Sequence, residues 1–87
     1  MIIKRRGHRE GYDERKIYAS VYAACLAAQK SEEEAERVAQ ALAAHLTRWV
    51  RNKEGLSSND LFRQVIIELG RHAPKAAFLY ENHRDLS

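Results

Sequence analysis

Four signals for the start of a helix divide this chain and limit what it can fold into. A side-chain oxygen just before a helix accepts a hydrogen bond from a free backbone N–H of the first turn. An acidic side chain three residues later can return the bond, and a proline fits the first helical turn. The signals are Asp13, Ser31 with Glu34, Ser57 with Asp60, and Pro74. The sequence therefore predicts four helices.

Apolar residues recur at helical spacing behind each of these signals. We expect the second helix to run to about Arg51 and Gly70 to end the third. The inward positions are Ile17, Val21, Cys25 and Leu26 in the first helix, Ala35, Val38, Leu42, Leu46, Trp49 and Val50 in the second, Leu61, Phe62, Val65, Ile66 and Leu69 in the third, and Ala77, Phe78 and Tyr80 in the fourth.

The first twelve residues predict a different structure. Ile2 and Ile3 favour a strand, Gly7 suits a tight turn, and residues 8–12 return as a second strand. A lone hairpin is marginal in water, so we expect it to pack on the helices. The predicted fold class is α+β and mainly helical, a four-helix bundle capped by an N-terminal β-hairpin or a small three-stranded sheet. At 87 residues, the whole chain is expected to be one domain.

The net positive charge lies in the opening segment. Residues 1–16 contain six Lys or Arg and three Asp or Glu, whereas the other residues contain nine of each. A localised basic patch of this kind suits a phosphate-bearing ligand or a nucleic-acid backbone. A charged edge strand that prevents aggregation is the plainer alternative.

Several classes of protein are not indicated by the sequence. The four histidines lack the paired spacing of a zinc site, and no nucleophile with a neighbouring base is recognisable. The single cysteine, Cys25, cannot form an internal disulfide. No apolar run has the length of a membrane span or the pattern of a signal peptide. We therefore expect a non-catalytic, cytoplasmic protein.

The opening segment also fits a known pattern, I/V-x-K-R-x-G-x-x-E-x-Y/F-D-x-x-K-I. The matching residues are Ile2, Lys4, Arg5, Gly7, Glu10, Tyr12, Asp13, Lys16 and Ile17. The pattern resembles the ATP-cone, a small nucleotide-sensing domain of many ribonucleotide reductases and of the zinc-ribbon repressor of reductase genes. The resemblance extends over nearly the whole chain. Neither a reductase barrel nor a C-x-x-C zinc ribbon accompanies it here, so an isolated regulatory domain or a free-standing member is expected.

The resemblance implies a role for each matching position. It implies phosphate contacts for Lys4 and Arg5 and for Ser58 at the start of the third helix, adenine contacts for Glu10 and Asp13, closure of the pocket by Lys16, and an apolar wall made of Ile2, Tyr12 and Ile17. Asp13 can equally be only a helix cap. Phe62 stands where some reductases have a histidine that contacts the ribose.

The function implied by the resemblance is allosteric sensing of ATP or dATP, with Mg²⁺ as an optional companion of the nucleotide. The implied partners are further copies of the chain, a reductase or another regulated protein. Apolar residues at several angles of the third and fourth helices, such as Ile67 and Leu79, favour self-association through that surface. Two alternatives stay open: a small basic nucleic-acid-binding module, and a helical association domain whose charges only keep it soluble.

Overall fold

A computed structural model describes residues 12–84, and the side chains of residues 12–82. The described chain forms four α-helices: α1 (Glu14–Ala27), α2 (Glu32–Arg51), α3 (Ser58–His72) and α4 (Pro74–Arg84). The prediction of four helices from their start signals is confirmed.

Side-chain caps set the starts of the first three helices. Asp13 Oδ1 accepts from the backbone N–H of Arg15 at 3.0 Å, and Ser31 Oγ accepts from that of Glu34 at 3.1 Å. Ser57 and Asp60 form a reciprocal capping box: each side chain accepts from the backbone N–H of the other residue, at 3.1 and 3.2 Å. Such caps satisfy N–H groups that have no partner within the helix.

One apolar core lies between the helices. α1 packs against α2 and α4, and α3 packs against the same two helices. The largest fully buried side chains are Leu42, Leu46, Leu69, Val21, Val65 and Cys25. Each buried Leu contributes about 1.5–3 kcal/mol of transfer free energy, so these few side chains account for much of the stability of the bundle. Leu26, also predicted to face inward, is instead 38% exposed.

The predicted α+β fold class is wrong, because residues 12–84 are all-helical and none of them lies in a strand. Tyr12, the last residue of the predicted hairpin, leads directly into the cap of α1. Its hydroxyl forms a hydrogen bond with the side chain of Thr47 in α2. Each helix finds its apolar partner in other helices, and the described core closes without a sheet. Residues 2–11 of the predicted hairpin lie outside the described residues.

The corner between α3 and α4 departs from prediction in two ways. α3 does not end at Gly70 but continues to His72, and Ala73 alone separates it from α4. A Cβ atom built at Gly70 would lie 3.9 Å from the Cβ of Ala77, so this glycine lies where α4 packs closely on α3. Phe78, predicted to face inward, is 63% exposed because Ala76 and Ala77 occupy the buried side of that turn.

The outer surface of α3 and α4 carries exposed apolar side chains. Ile67 is 47% exposed, and with Phe78 it belongs to the most exposed large hydrophobic residues of the described chain. The expectation that apolar residues in these helices point in more than one direction is confirmed. None of the described helices is long and apolar enough to cross a membrane.

Candidate functional site

The candidate residues within the described chain lie at the starts of two helices. Tyr12, Asp13, Lys16 and Ile17 surround the first turn of α1, and Ser58 is the first residue of α3. The other candidates lie outside the described residues: Ile2, Lys4, Arg5 and Glu10.

The carboxylate of Asp13 acts as the cap of α1. Its Oδ1 accepts from the backbone N–H of Arg15 at 3.0 Å and from the Nε–H of the same residue at 3.5 Å. The backbone hydrogen bond is the main reason why the pKa of Asp13 lies below its usual value of 3.8. Both bonds fall on Oδ1, so capping leaves Oδ2 available for another donor.

Lys16 and Ile17 point to different environments although they are neighbours. Lys16 is exposed and forms no ion pair with a described residue, so its ammonium group is available to an anion. Ile17 is only 7% exposed and belongs to the hydrophobic core. Ile17 therefore anchors the first turn of α1 in the core, on the side opposite to solvent.

Tyr12 joins the start of α1 to the end of α2. Its hydroxyl lies 2.6 Å from Thr47 Oγ1, and the two residues are 35 positions apart in the chain. The pKa of Tyr12 is raised because its half-buried ring is withdrawn from water. The N-terminus of α1 therefore lies beside the last turns of α2, which carry the exposed cations Arg48 and Arg51.

The start of α3 lies toward the same end of the bundle. Only residues 52–57 connect α2 to α3, and six residues span at most about 20 Å. Ser58 is exposed, whereas its neighbour Ser57 carries the capping bond. The hydroxyl of Ser58 is thus not needed for the cap and can serve a ligand.

Phe62 takes part in packing between helices. Its ring meets that of Tyr80 edge to face, with centroids 5.5 Å apart and planes at 71°. The Tyr80 hydroxyl in turn accepts from Ser20 Oγ at 3.3 Å, which ties α4 to α1. Burial raises the pKa of Tyr80. Phe62, Tyr80 and Ser20 therefore link α3, α4 and α1.

Thr47 could not be recognised from the sequence. It stands between the apolar positions Leu46 and Val50 of α2, and spacing alone does not distinguish it from any other partly exposed polar residue. A residue of this kind becomes recognisable only when the fold brings Tyr12 to it. The described residues contain no group of three or more His, Cys, Asp or Glu side chains that could hold a metal ion.

One protein family matches the chain over nearly its whole length. Residues 1–86 match the family model described as the ATP cone domain. Neither the curated proteins nor the solved structures give a significant match.

Proposed function

This chain belongs to the ATP-cone family, and we propose that it is a regulatory domain whose effector is ATP or dATP. An ATP-cone is a nucleotide-sensing domain and carries no catalytic role. The observation that carries the proposal is the family match over residues 1–86, which contains the complete opening motif. The excess of positive charge in residues 1–16 supports it, because a triphosphate is strongly anionic.

We assign the phosphates to Lys4, Arg5 and Ser58, with Lys16 closing the pocket. The exposure of Lys16 and its lack of an ion pair in the described chain support this role. Charge-assisted contacts from Lys or Arg to phosphate are about twice as strong as neutral hydrogen bonds. The assignment therefore rests most of the affinity on the basic side chains.

We assign the adenine to Glu10 and Asp13, beside an apolar wall that includes Ile2, Tyr12 and Ile17. Asp13 can serve both as helix cap and as ligand contact, because its capping bonds use only Oδ1. Oδ2 would accept a hydrogen bond from the exocyclic amino group of adenine. Guanine has a carbonyl oxygen at that position, so GTP should bind more weakly.

Regulation would follow if the bound nucleotide changes how the domain associates. ATP and dATP would compete for the one site, and each could favour a different state only by binding it with different affinity. The regulated contact would be with further copies of the chain or with a separate protein such as a reductase, in the cytoplasm. The exposed Ile67 and Phe78 support a contact surface on α3 and α4.

Calorimetric titration with ATP, dATP and GTP tests the proposal. We expect dissociation constants in the micromolar range for ATP or dATP and weaker binding of GTP. Lys4→Ala and Arg5→Ala should each weaken ATP about tenfold or more, since a hydrogen bond to a charged group contributes about 1.5–3 kcal/mol. Titrations with and without EDTA would show whether Mg²⁺ accompanies the nucleotide.

Arg37→Ala is the matched control for these variants. Arg37 is exposed on α2 and stands ten residues before Thr47, which is about 15 Å along the helix axis. Its removal takes away one positive charge far from the site and should leave the affinity for ATP unchanged. Oligonucleotide binding that falls steeply with salt, without any nucleotide binding, would contradict the proposal and favour a nucleic-acid-binding module.

A further inference from the structure

The hydrogen bond between Tyr12 and Thr47 is the starting point. The two oxygens lie 2.6 Å apart, at the short end of the range for an O–H···O bond, and either hydroxyl can be the donor. Tyr12 also packs against the core through its ring. The residue is therefore held at both ends, by apolar contact along the ring and by a directional bond at its tip.

Along the chain, Tyr12 stands between the two groups of residues that we assign to the nucleotide. On one side stands Asp13, whose backbone carbonyl accepts from the N–H groups of Lys16 and Ile17 at 3.0 and 3.2 Å. On the other side the chain leads back to Lys4 and Arg5. The bond between Tyr12 and Thr47 holds the start of α1, with Asp13 and Lys16, in a fixed position against α2.

The hydroxyl of Tyr12 has a function separate from that of its ring. The opening pattern admits Tyr or Phe here, so the ring alone satisfies the pattern. Withdrawing a hydroxyl from water is unfavourable unless it finds a partner, and Thr47 is the partner that the fold supplies. Thr47 is β-branched, so its hydroxyl has few orientations available and holds the phenol in a defined place.

We propose that Thr47 is a positioning residue of the nucleotide site, which acts through Tyr12 and fixes the start of α1 against α2. The inference rests on the proposed function. Thr47 itself does not need to touch the nucleotide. By holding Tyr12 before the ligand arrives, it reduces the conformational freedom that binding would otherwise have to remove.

Titration of the full chain with ATP, together with urea unfolding in its absence, tests this role. Thr47→Val keeps the shape of the side chain but removes the hydroxyl, and we expect it to weaken ATP about threefold to tenfold, the range for one lost hydrogen bond. Thr47→Ser retains the hydroxyl and should restore most of the affinity. Tyr12→Phe removes the same bond from the other side and should weaken ATP by the same factor as Thr47→Val. It tests the inference independently if Thr47→Val does not fold.

Tyr80→Phe is the matched control. It removes another bond between two hydroxyls of different helices, that of Ser20 with Tyr80, at 3.3 Å. We expect it to lower the urea midpoint while the affinity for ATP stays at the wild-type value. An unchanged affinity in Thr47→Val and Tyr12→Phe would overturn this inference but leave the proposed function standing. Equal weakening by Tyr80→Phe would also overturn it, since the effect would then follow from lost stability. A wild-type chain that does not bind ATP would overturn the proposed function and the inference together.

Discussion

Two adjacent serines at the start of α3 should respond in different ways to replacement by alanine. Ser57 caps the helix, and its Oγ accepts from the N–H of Asp60 at 3.1 Å. Ser58 is the first helical residue, and the proposed function gives its hydroxyl to the phosphates. Both residues are exposed, so replacing either by alanine creates no cavity. Ser57→Ala should therefore lower stability, and Ser58→Ala should lower affinity for ATP.

The size of the first effect follows from the capping box. Ser57→Ala removes the bond to the N–H of Asp60 but keeps the return bond, because the backbone N–H of residue 57 still donates to Asp60 Oδ2. One lost cap costs about 1 kcal/mol. In a domain of this size that loss lowers the melting temperature by about 4–8 °C. Ser58→Ala should leave the melting temperature unchanged or raise it slightly, since alanine has a more favourable helix propensity than serine by about 0.5 kcal/mol.

Thermal unfolding without nucleotide and calorimetric titration with ATP separate the two effects. Ser57→Ala should melt earlier yet bind ATP with wild-type affinity at 25 °C, where the chain remains folded. Ser58→Ala should melt normally and bind more weakly. If Ser58→Ala lowers the melting temperature as much as Ser57→Ala, the assignment of the cap is wrong. If Ser58→Ala leaves the affinity unchanged, this serine does not contact the nucleotide.

Three further predictions concern other parts of the molecule. Because the N–H of Arg15 lowers the pKa of Asp13, the carboxylate stabilises the fold above pH 3.8 and this contribution is lost as the pH falls through the folded-state pKa. The stability difference between wild type and Asp13→Asn, from urea unfolding at several pH values, should thus shrink on acidification; a constant difference would exclude the charge as its source. Gln29 follows α1 with a φ of 72°, which glycine adopts without strain, so Gln29→Gly should raise the free energy of unfolding by about 0.5–1 kcal/mol; a lower value would show that the strain is small. Light scattering should show self-association that changes with ATP or dATP and weakens in Phe78→Ser, whereas a monomer under all conditions would contradict self-association through the surface of α3 and α4.

The starts of the helices could be predicted because capping is local chemistry. Ser57 and Asp60 are three residues apart, and their bonds depend on little beyond that spacing. The end of α3 could not be predicted from Gly70 alone. A glycine often ends a helix, but it also permits close packing, and only the position of Ala77 shows that the second applies here.

The candidate site shows the same division. Asp13 could be recognised as a cap from its neighbours in sequence, and the structure confirms it. The partner of Tyr12 could not be recognised, because Thr47 is 35 residues away and is brought there by the packing of α1 on α2. The error in fold class is of the same kind. Ile2, Ile3 and Gly7 favour a hairpin that ends at Tyr12, but in the described chain Tyr12 lies in no strand and its hydroxyl bonds to α2.

The single-residue corner at Ala73 has a consequence for the order in which the bundle assembles. Ala73 donates to Leu69 at 2.7 Å and accepts from Ala77 at 3.0 Å, so α3 and α4 meet by closing a very short loop. The contact between Ser20 and Tyr80 spans 60 residues and requires a much larger loss of chain entropy. Contacts that are close in sequence form fastest, so we expect α3 to pair with α4, and α1 with α2, before α1 meets α4. The contact that forms last is also expected to open first, which makes the interface between α1 and α4 the place where a bound ligand can change the packing of the bundle with the least free energy.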